Sequence, residues 1–228
     1  MAEFTEQDKE LYHDILEGLS IYFDSPLIPD ILNTINRHPR PDFGNAFNRN
    51  QLSSKKWLID QLNDVTDGEF GNIVILGGWY GVLSALLLND TRFSLQTITS
   101  VDLNPDCALV ARCLNQRFTE NENFNAITAD MFDIDYHTIL PSLKKNTAND
   151  LLINTSCEHI TDFDKWYAKI PSGTHVVLQS NDFFDCDEHS NCVNNVSEFQ
   201  QLAPMAKTLF AGELRLKKYT RFMLIGVK

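Results

Sequence analysis

The sequence predicts an α/β fold: a doubly wound, mostly parallel sheet with an antiparallel strand pair at its end and an N-terminal helical lead-in. Three observations predict it. After Gly71, short apolar runs alternate with helix-length segments, the pattern of parallel strands joined by helical crossovers. The stretch IVILGGWYGVL, residues 73–83, passes from an apolar strand through a glycine-rich turn into an apolar helix. Two strand candidates near the C-terminus, 207–211 and 221–227, are separated by so little chain that an antiparallel edge pair suits them.

Along the chain, Leu11, Ile15, Leu19 and Tyr22 recur at spacings of three and four, which predicts an amphipathic helix over 6–23 with a face to bury. A second short helix is expected after Pro26, with Pro29 in its first turn and Ile31, Leu32 and Ile35 along it. The prolines and glycine of RHPRPDFGN, 37–45, break it. Ser53 or Ser54 can cap a third helix, in which Trp57, Leu58, Leu62 and Val65 lie near one stripe until Asp67 and Gly68 end it. Residues 1–70 are thus expected to form a helical lead-in or cap, and 71–228 the sheet domain. Within the latter the expected order is strand 72–76, helix 82–89, strand 97–101 and helix 106–117. Strands 126–129, 151–154 and 175–179 then precede the terminal pair.

The chain has 228 residues, 43% hydrophobic and 22% charged, enough to bury the core of one domain. Its formal charge of -12 repels phosphate backbones, so nucleic acid is a disfavoured partner. The apolar runs are too short to span a bilayer and MAEFTEQDKE has no signal-peptide core, so no membrane partner and a cytoplasmic location are expected. The cysteines, Cys107, Cys113, Cys157, Cys186 and Cys192, are odd in number, which suits reduced thiols over a disulfide framework. A homo-oligomer remains open.

In the turn, Gly77, Gly78 and Gly81 let a backbone approach a ligand closely, although GGWYG departs from the G-x-G-x-x-G spacing. The next strand, ITSVD, ends in Asp102, 25 residues after Gly77, where a carboxylate can accept both hydroxyl hydrogen bonds of a ribose. The following strand ends in Ala129, Asp130 and Met131, a third position at the same sheet edge.

With ILGGWYG as glycine loop, SVDLNP as acidic loop and ITADMFD as third loop, residues 71–228 resemble the class I, Rossmann-like S-adenosylmethionine-dependent methyltransferases. The resemblance implies S-adenosyl-L-methionine as cofactor. It places Gly77, Gly78, Trp79, Tyr80 and Gly81 at the methionine and ribose portion, Asp102 on the ribose, Leu103 on the adenine, and Asp130 with Met131 at its amino edge. Asn154, at the end of the next strand, joins that cofactor set. Many members carry smaller residues where Trp79 and Tyr80 stand, which makes Tyr80 a candidate contact to the sulfonium or the substrate. Any doubly wound nucleotide-binding sheet, an NAD enzyme above all, shares part of this pattern.

Beyond that strand the segment NTSCEH, 154–159, is polar throughout and should open on the same crevice. Glu158 and His159 are candidates for a general base on a hydroxyl or amine, with Ser156 and Cys157 toward the substrate. A plainer alternative has Thr155 and Ser156 capping a helix whose first turn carries Glu158 and His159. Methyltransferases acting on nucleobase amino groups typically carry an Asn or Asp followed by two prolines and an aromatic here, and NTSC lacks the prolines. Asn181 and Asp182 follow the next strand and would face substrate; Arg49, in a basic cluster with Lys55 and Lys56, is a candidate carboxylate clamp, while Lys55 and Lys56 themselves suit a solvated helix start. Cys186, His189 and Cys192 have a spacing that invites zinc, with Cys157 or His159 as a fourth ligand, but a solvated loop fits them better and no metal is assigned. The expected function is methyl transfer to a small molecule. The alternatives are attack on the aminobutyrate arm with release of methylthioadenosine, for example forming azetidine-2-carboxylate, a non-catalytic cofactor-binding module, and a nucleic-acid methyltransferase.

Overall fold

The computed structural model describes residues 6–141 and 149–228. Four helices come first: α1 (Glu6–Tyr22), α2 (Leu27–Arg37), α3 (Phe43–Ala46) and α4 (Arg49–Val65). Strands and helices then alternate: β1 (Glu69–Leu76), α5 (Val82–Leu88), β2 (Ser94–Asp102), α6 (Pro105–Leu114), α7 (Gln116–Glu120), β3 (Phe124–Thr128) and α8 (Tyr136–Ile139). The last elements are β4 (Leu151–Asn154), α9 (Phe163–Lys169), β5 (His175–Asn181), α10 (Val196–Leu202), β6 (Lys207–Arg215) and β7 (Thr220–Val227).

Among the described residues seven strands form one sheet in the order β3-β2-β1-β4-β5-β7-β6. β1 pairs in parallel with both β2 and β4, and β7 runs antiparallel to both β5 and β6. The central strands are apolar without alternation because both faces are covered. Ile73 and Ile75 face a layer with Leu58 and Leu62 of α4, Leu83 of α5 and Ala108 of α6, whereas Val74 and Leu76 face one with Tyr136, Trp166 and Phe199. The chain reverses its direction of winding between β1 and β4, and beyond the carboxyl ends of strands at such a switch point a crevice opens.

Several boundaries differ from the sequence expectation for local physical reasons. α4 starts at Arg49 because Asn48 caps it, its side-chain oxygen accepting from Gln51 N at 2.9 Å. Ser54 lies buried inside that helix and donates to Gln179 Oε1 at 3.0 Å, fastening α4 to β5. The helix expected over 106–117 breaks at Asn115, whose amide donates to Ala111 O at 2.9 Å and to Gly81 O at 3.2 Å. Within the 37–45 break, Asp42 caps the short α3. α1 packs on α2, yet its apolar stripe of Leu11, Ile15, Leu19 and Tyr22 stays exposed, contrary to the buried face its period predicts. Among the described residues no helix is long and apolar enough to cross a membrane.

Candidate functional site

The carboxyl ends of β1 to β5 border one crevice of about 1270 Å³. Its centre is the turn after β1. Gly77 (φ 61°) and Gly81 (φ 72°) adopt left-handed backbone that favours glycine. Gly78 donates to Val101 O at 3.0 Å, and a Cβ on it would lie 2.0 Å from Ser100 Oγ, so the turn rests directly on β2. Gly81 is buried behind the turn, where a Cβ would meet Ala111 Cβ of α6 at 2.9 Å. Its small size serves helix packing, while Gly77 and Gly78 face the crevice.

Trp79 also holds a left-handed φ, 49°, unusual for a large side chain. Its amide donates to Asp102 Oδ2 at 2.8 Å, and Asn104 N donates to Oδ1 at 2.9 Å. Asp102 is therefore oriented by loops on both sides, with a carboxylate that still has lone pairs toward the crevice. The Trp79 ring stacks on Tyr80 (centroids 4.6 Å, 28°), and Tyr80 lies 5.7 Å from Phe43 of α3. These rings, with Ala46, Phe47 and Leu52, form a small apolar cluster that seats the N-terminal helices against the glycine turn. That packing explains two aromatics between glycines, and both rings still line the crevice.

Leu103 projects beside Asp102 at 70% exposure, a large apolar side chain left open at the crevice edge. Asp130 accepts from Phe132 N at 2.8 Å, and the carbonyl of half-buried Met131 accepts from Tyr136 OH at 2.8 Å, itself bonded by Trp166 Nε1. Asn154 is fully buried beneath the next turn, where its Oδ1 accepts from Ser156 N at 2.9 Å; it shapes the loop that presents Ser156.

The third wall holds the ionisable groups. Glu158 lies in a short 3-10 turn, Cys157–His159, and is 3% exposed. Its Oε1 accepts from Arg221 Nη1 at 2.7 Å and from Asn181 Nδ2 at 2.6 Å. Glu158 Oε2 and Arg221 Nε are buried and find no hydrogen-bond partner among the described residues. Lys55 reaches the same crevice from α4, and burial, helped by Arg221, lowers its pKa to about 8. His159 is exposed and its ring meets His189 edge-on, with centroids 4.6 Å apart. Each of the two imidazoles has Nδ1 on a carbonyl: His159 on Glu188 O at 3.1 Å, His189 on Phe183 O at 2.8 Å.

Some expectations require correction. Cys157 turns away from the crevice into the core, its thiol directed at Asn154 O, 3.7 Å away, and burial holds its pKa well above the ordinary thiol value. It is therefore neither a substrate contact nor a thiolate. Asp182 accepts from Thr220 N at 2.6 Å and secures the start of β7. Arg49 is exposed at the start of α4 and does not line the crevice, whereas Lys55, expected as a solvated helix start, does. Lys56 does lie in solvent, paired with Asp60. The Cys192 thiol, 3.6 Å from His189 Nδ1, points at Asn181 Oδ1 and Phe183 O. Arg221 was not singled out from the sequence, although a lone cation entering the apolar run FMLIGV was its signal.

Solved structures similar in fold include the N-methyltransferase NodS from Bradyrhizobium japonicum WM9 in complex with S-adenosyl-L-homocysteine (TM-score 0.57, 14% identity, 85% of this chain and 98% of NodS). The geranyl diphosphate C-methyltransferase from Streptomyces coelicolor A3(2), in complex with Mg2+, geranyl diphosphate and S-adenosyl-L-homocysteine, has a TM-score of 0.53 at 10% identity, over 77% of this chain and 80% of that one. The PH0226 protein from Pyrococcus horikoshii OT3 also has a TM-score of 0.53, at 13% identity, over 79% and 93% of the two chains. No protein-family model matches the sequence, and no curated protein does.

Proposed function

We propose that this chain, whose fold is that of the class I S-adenosylmethionine-dependent methyltransferases, binds S-adenosylmethionine at the turn after β1 and transfers its methyl group to a small molecule. The observation that carries this reading is Asp102, held by the amides of Trp79 and Asn104 with its carboxylate at the crevice, as a ribose would need. The residues present fit the cofactor. Gly77 and Gly78 give close backbone approach, the exposed Leu103 offers an apolar surface to adenine, and Asp130 with Met131 borders the same edge. Lys55, charged below its pKa of about 8, suits the methionine carboxylate.

When bound, S-adenosylmethionine supplies an electrophilic methyl on a sulfonium, so the protein's work is chiefly to align an acceptor and exclude water. A crevice of about 1270 Å³ exceeds the roughly 300–1,000 Å³ of a single-ligand pocket, which leaves room for a small acceptor beside the cofactor. Arg221 and Asn181 commit Glu158 to an ion pair, so the base falls to His159, whose Nδ1 faces a carbonyl and whose Nε2 is thereby the lone-pair nitrogen. Ser156 and Tyr80 line the crevice where an acceptor would lie. The charge of -12 counts against nucleic acid, and five free cysteines accord with a cytoplasmic location.

The test is incubation with S-adenosylmethionine, alone and with a pooled metabolite extract, followed by mass spectrometry of the nucleoside products. S-adenosylhomocysteine formed only with extract is expected, its methylated partner naming the acceptor. Methylthioadenosine formed faster than without protein would overturn methyl transfer.

A further inference from the structure

We propose that Glu158, His159 and His189 form a binding site for one divalent first-row transition-metal ion on the wall of the crevice. One ligand atom from each lies within 4.8 Å of the others. The two histidines come from different loops, 30 residues apart in sequence, and are brought together by the turn after β4 and the loop after β5. Carbonyl oxygens only accept, so Glu188 O and Phe183 O fix a proton on each Nδ1 and leave each Nε2 as a donor of electrons.

The carboxylate supplies the independent observation. Glu158 Oε1 is satisfied twice, by Arg221 and Asn181, while Oε2 is buried with no partner among the described residues. A buried carboxylate oxygen left without a hydrogen-bond partner is costly, and a cation held beside it by two imidazoles removes that cost. Arg221 and Asn181 would then act as the outer contacts that hold a ligating carboxylate in place. Two imidazoles and one carboxylate suit Zn2+, Mn2+ or Fe2+ better than Mg2+ or Ca2+, and three protein ligands leave coordination positions open to the crevice. Resting on the methyl-transfer reading, this deepens it: the acceptor class becomes a small molecule with a metal-binding hydroxyl. With its Nε2 on the ion, His159 would no longer serve as the base: the acceptor oxygen would form the O–CH3 bond as the S–CH3 electron pair returns to sulfur, and the hydroxyl proton, made more acidic by the ion, would pass to water.

The experiment is calorimetric titration of chelator-treated full-length protein with Zn2+ and with Mn2+, alongside a separate titration with S-adenosylmethionine. One equivalent of ion is expected to bind the wild type, with affinity at least roughly tenfold weaker in both His159→Ala and His189→Ala and unchanged in Cys186→Ser. His159 is exposed, so its variant keeps the test valid if His189→Ala fails to fold. Absence of ion binding, binding by both histidine variants as tight as that of the wild type, or loss in Cys186→Ser with retention in His159→Ala would overturn the site. Cofactor binding without ion binding would sink this inference alone, and ion binding without cofactor binding would sink the methyl-transfer reading alone.

Discussion

Glu158 Oε1 and Arg221 Nη1 stand 2.7 Å apart, their side chains only 4% and 7% exposed, joining the turn after β4 to the start of β7. The two residues are 63 apart in sequence, and their pairing is what turns the polar NTSCEH segment inward.

A buried pair of this kind is expensive to break from one side, because the remaining charge loses its compensation. Arg221→Met is expected to lower unfolding free energy by about 3–5 kcal/mol, and Glu158→Gln/Arg221→Met by clearly less. Denaturant unfolding of both variants measures the difference. A double variant no more stable than Arg221→Met would remove the ion pair from this account.

Lys55 gives a pH dependence with a definite sign. Burial, then Arg221, lowers its pKa from 10.5 to about 8, so between those values the unfolded chain holds more protons than the folded one. Its unfavourable contribution is fully present below about 8 and is relieved as pH rises toward 10.5. Thermal melting from pH 7 to 10.5 should therefore show wild type gaining on Lys55→Met as pH rises. A constant difference between the two proteins would contradict the shift.

Gly78 tests the packing of the turn. Ala in its place would put a Cβ 2.0 Å from Ser100 Oγ, and Gly78→Ala is expected to cost about 1–3 kcal/mol of stability. Adding Ser100→Ala should recover part of the loss, since the nearest remaining atoms would be the Ser100 Cβ at 3.2 Å and Ile75 O at 3.5 Å. Melting temperatures of the single and double variants decide it, and no recovery would place the strain elsewhere.

Much of the sheet was legible in the chain because its signals are local. The run LLIN became β4 at its expected residues, and the closely spaced terminal runs became the antiparallel pair β6 and β7. Gly77 and Gly78 stand at the crevice as the strand-turn-helix pattern implies. What the chain hid depends on distant partners. Cys157 looks polar beside Ser156 and Glu158, yet a one-residue step in the turn sends it into the core and its neighbours to the crevice. Lys55 resembles a solvated helix residue until α4 is laid against β6 and β7. The exposed stripe of α1 shows the reverse error, for periodicity predicts an apolar face but not what covers it.

The most direct measurement of the central claim is calorimetric binding of S-adenosylmethionine to the wild type and to Asp102→Asn, with circular dichroism confirming that both are folded. Saturable one-to-one binding by the wild type, weakened about 10- to 100-fold in Asp102→Asn, is the predicted result, the magnitude expected for a hydrogen bond to a charged group. No binding at cofactor concentrations up to about 1 mM, or equal affinity in the two proteins, would contradict the account.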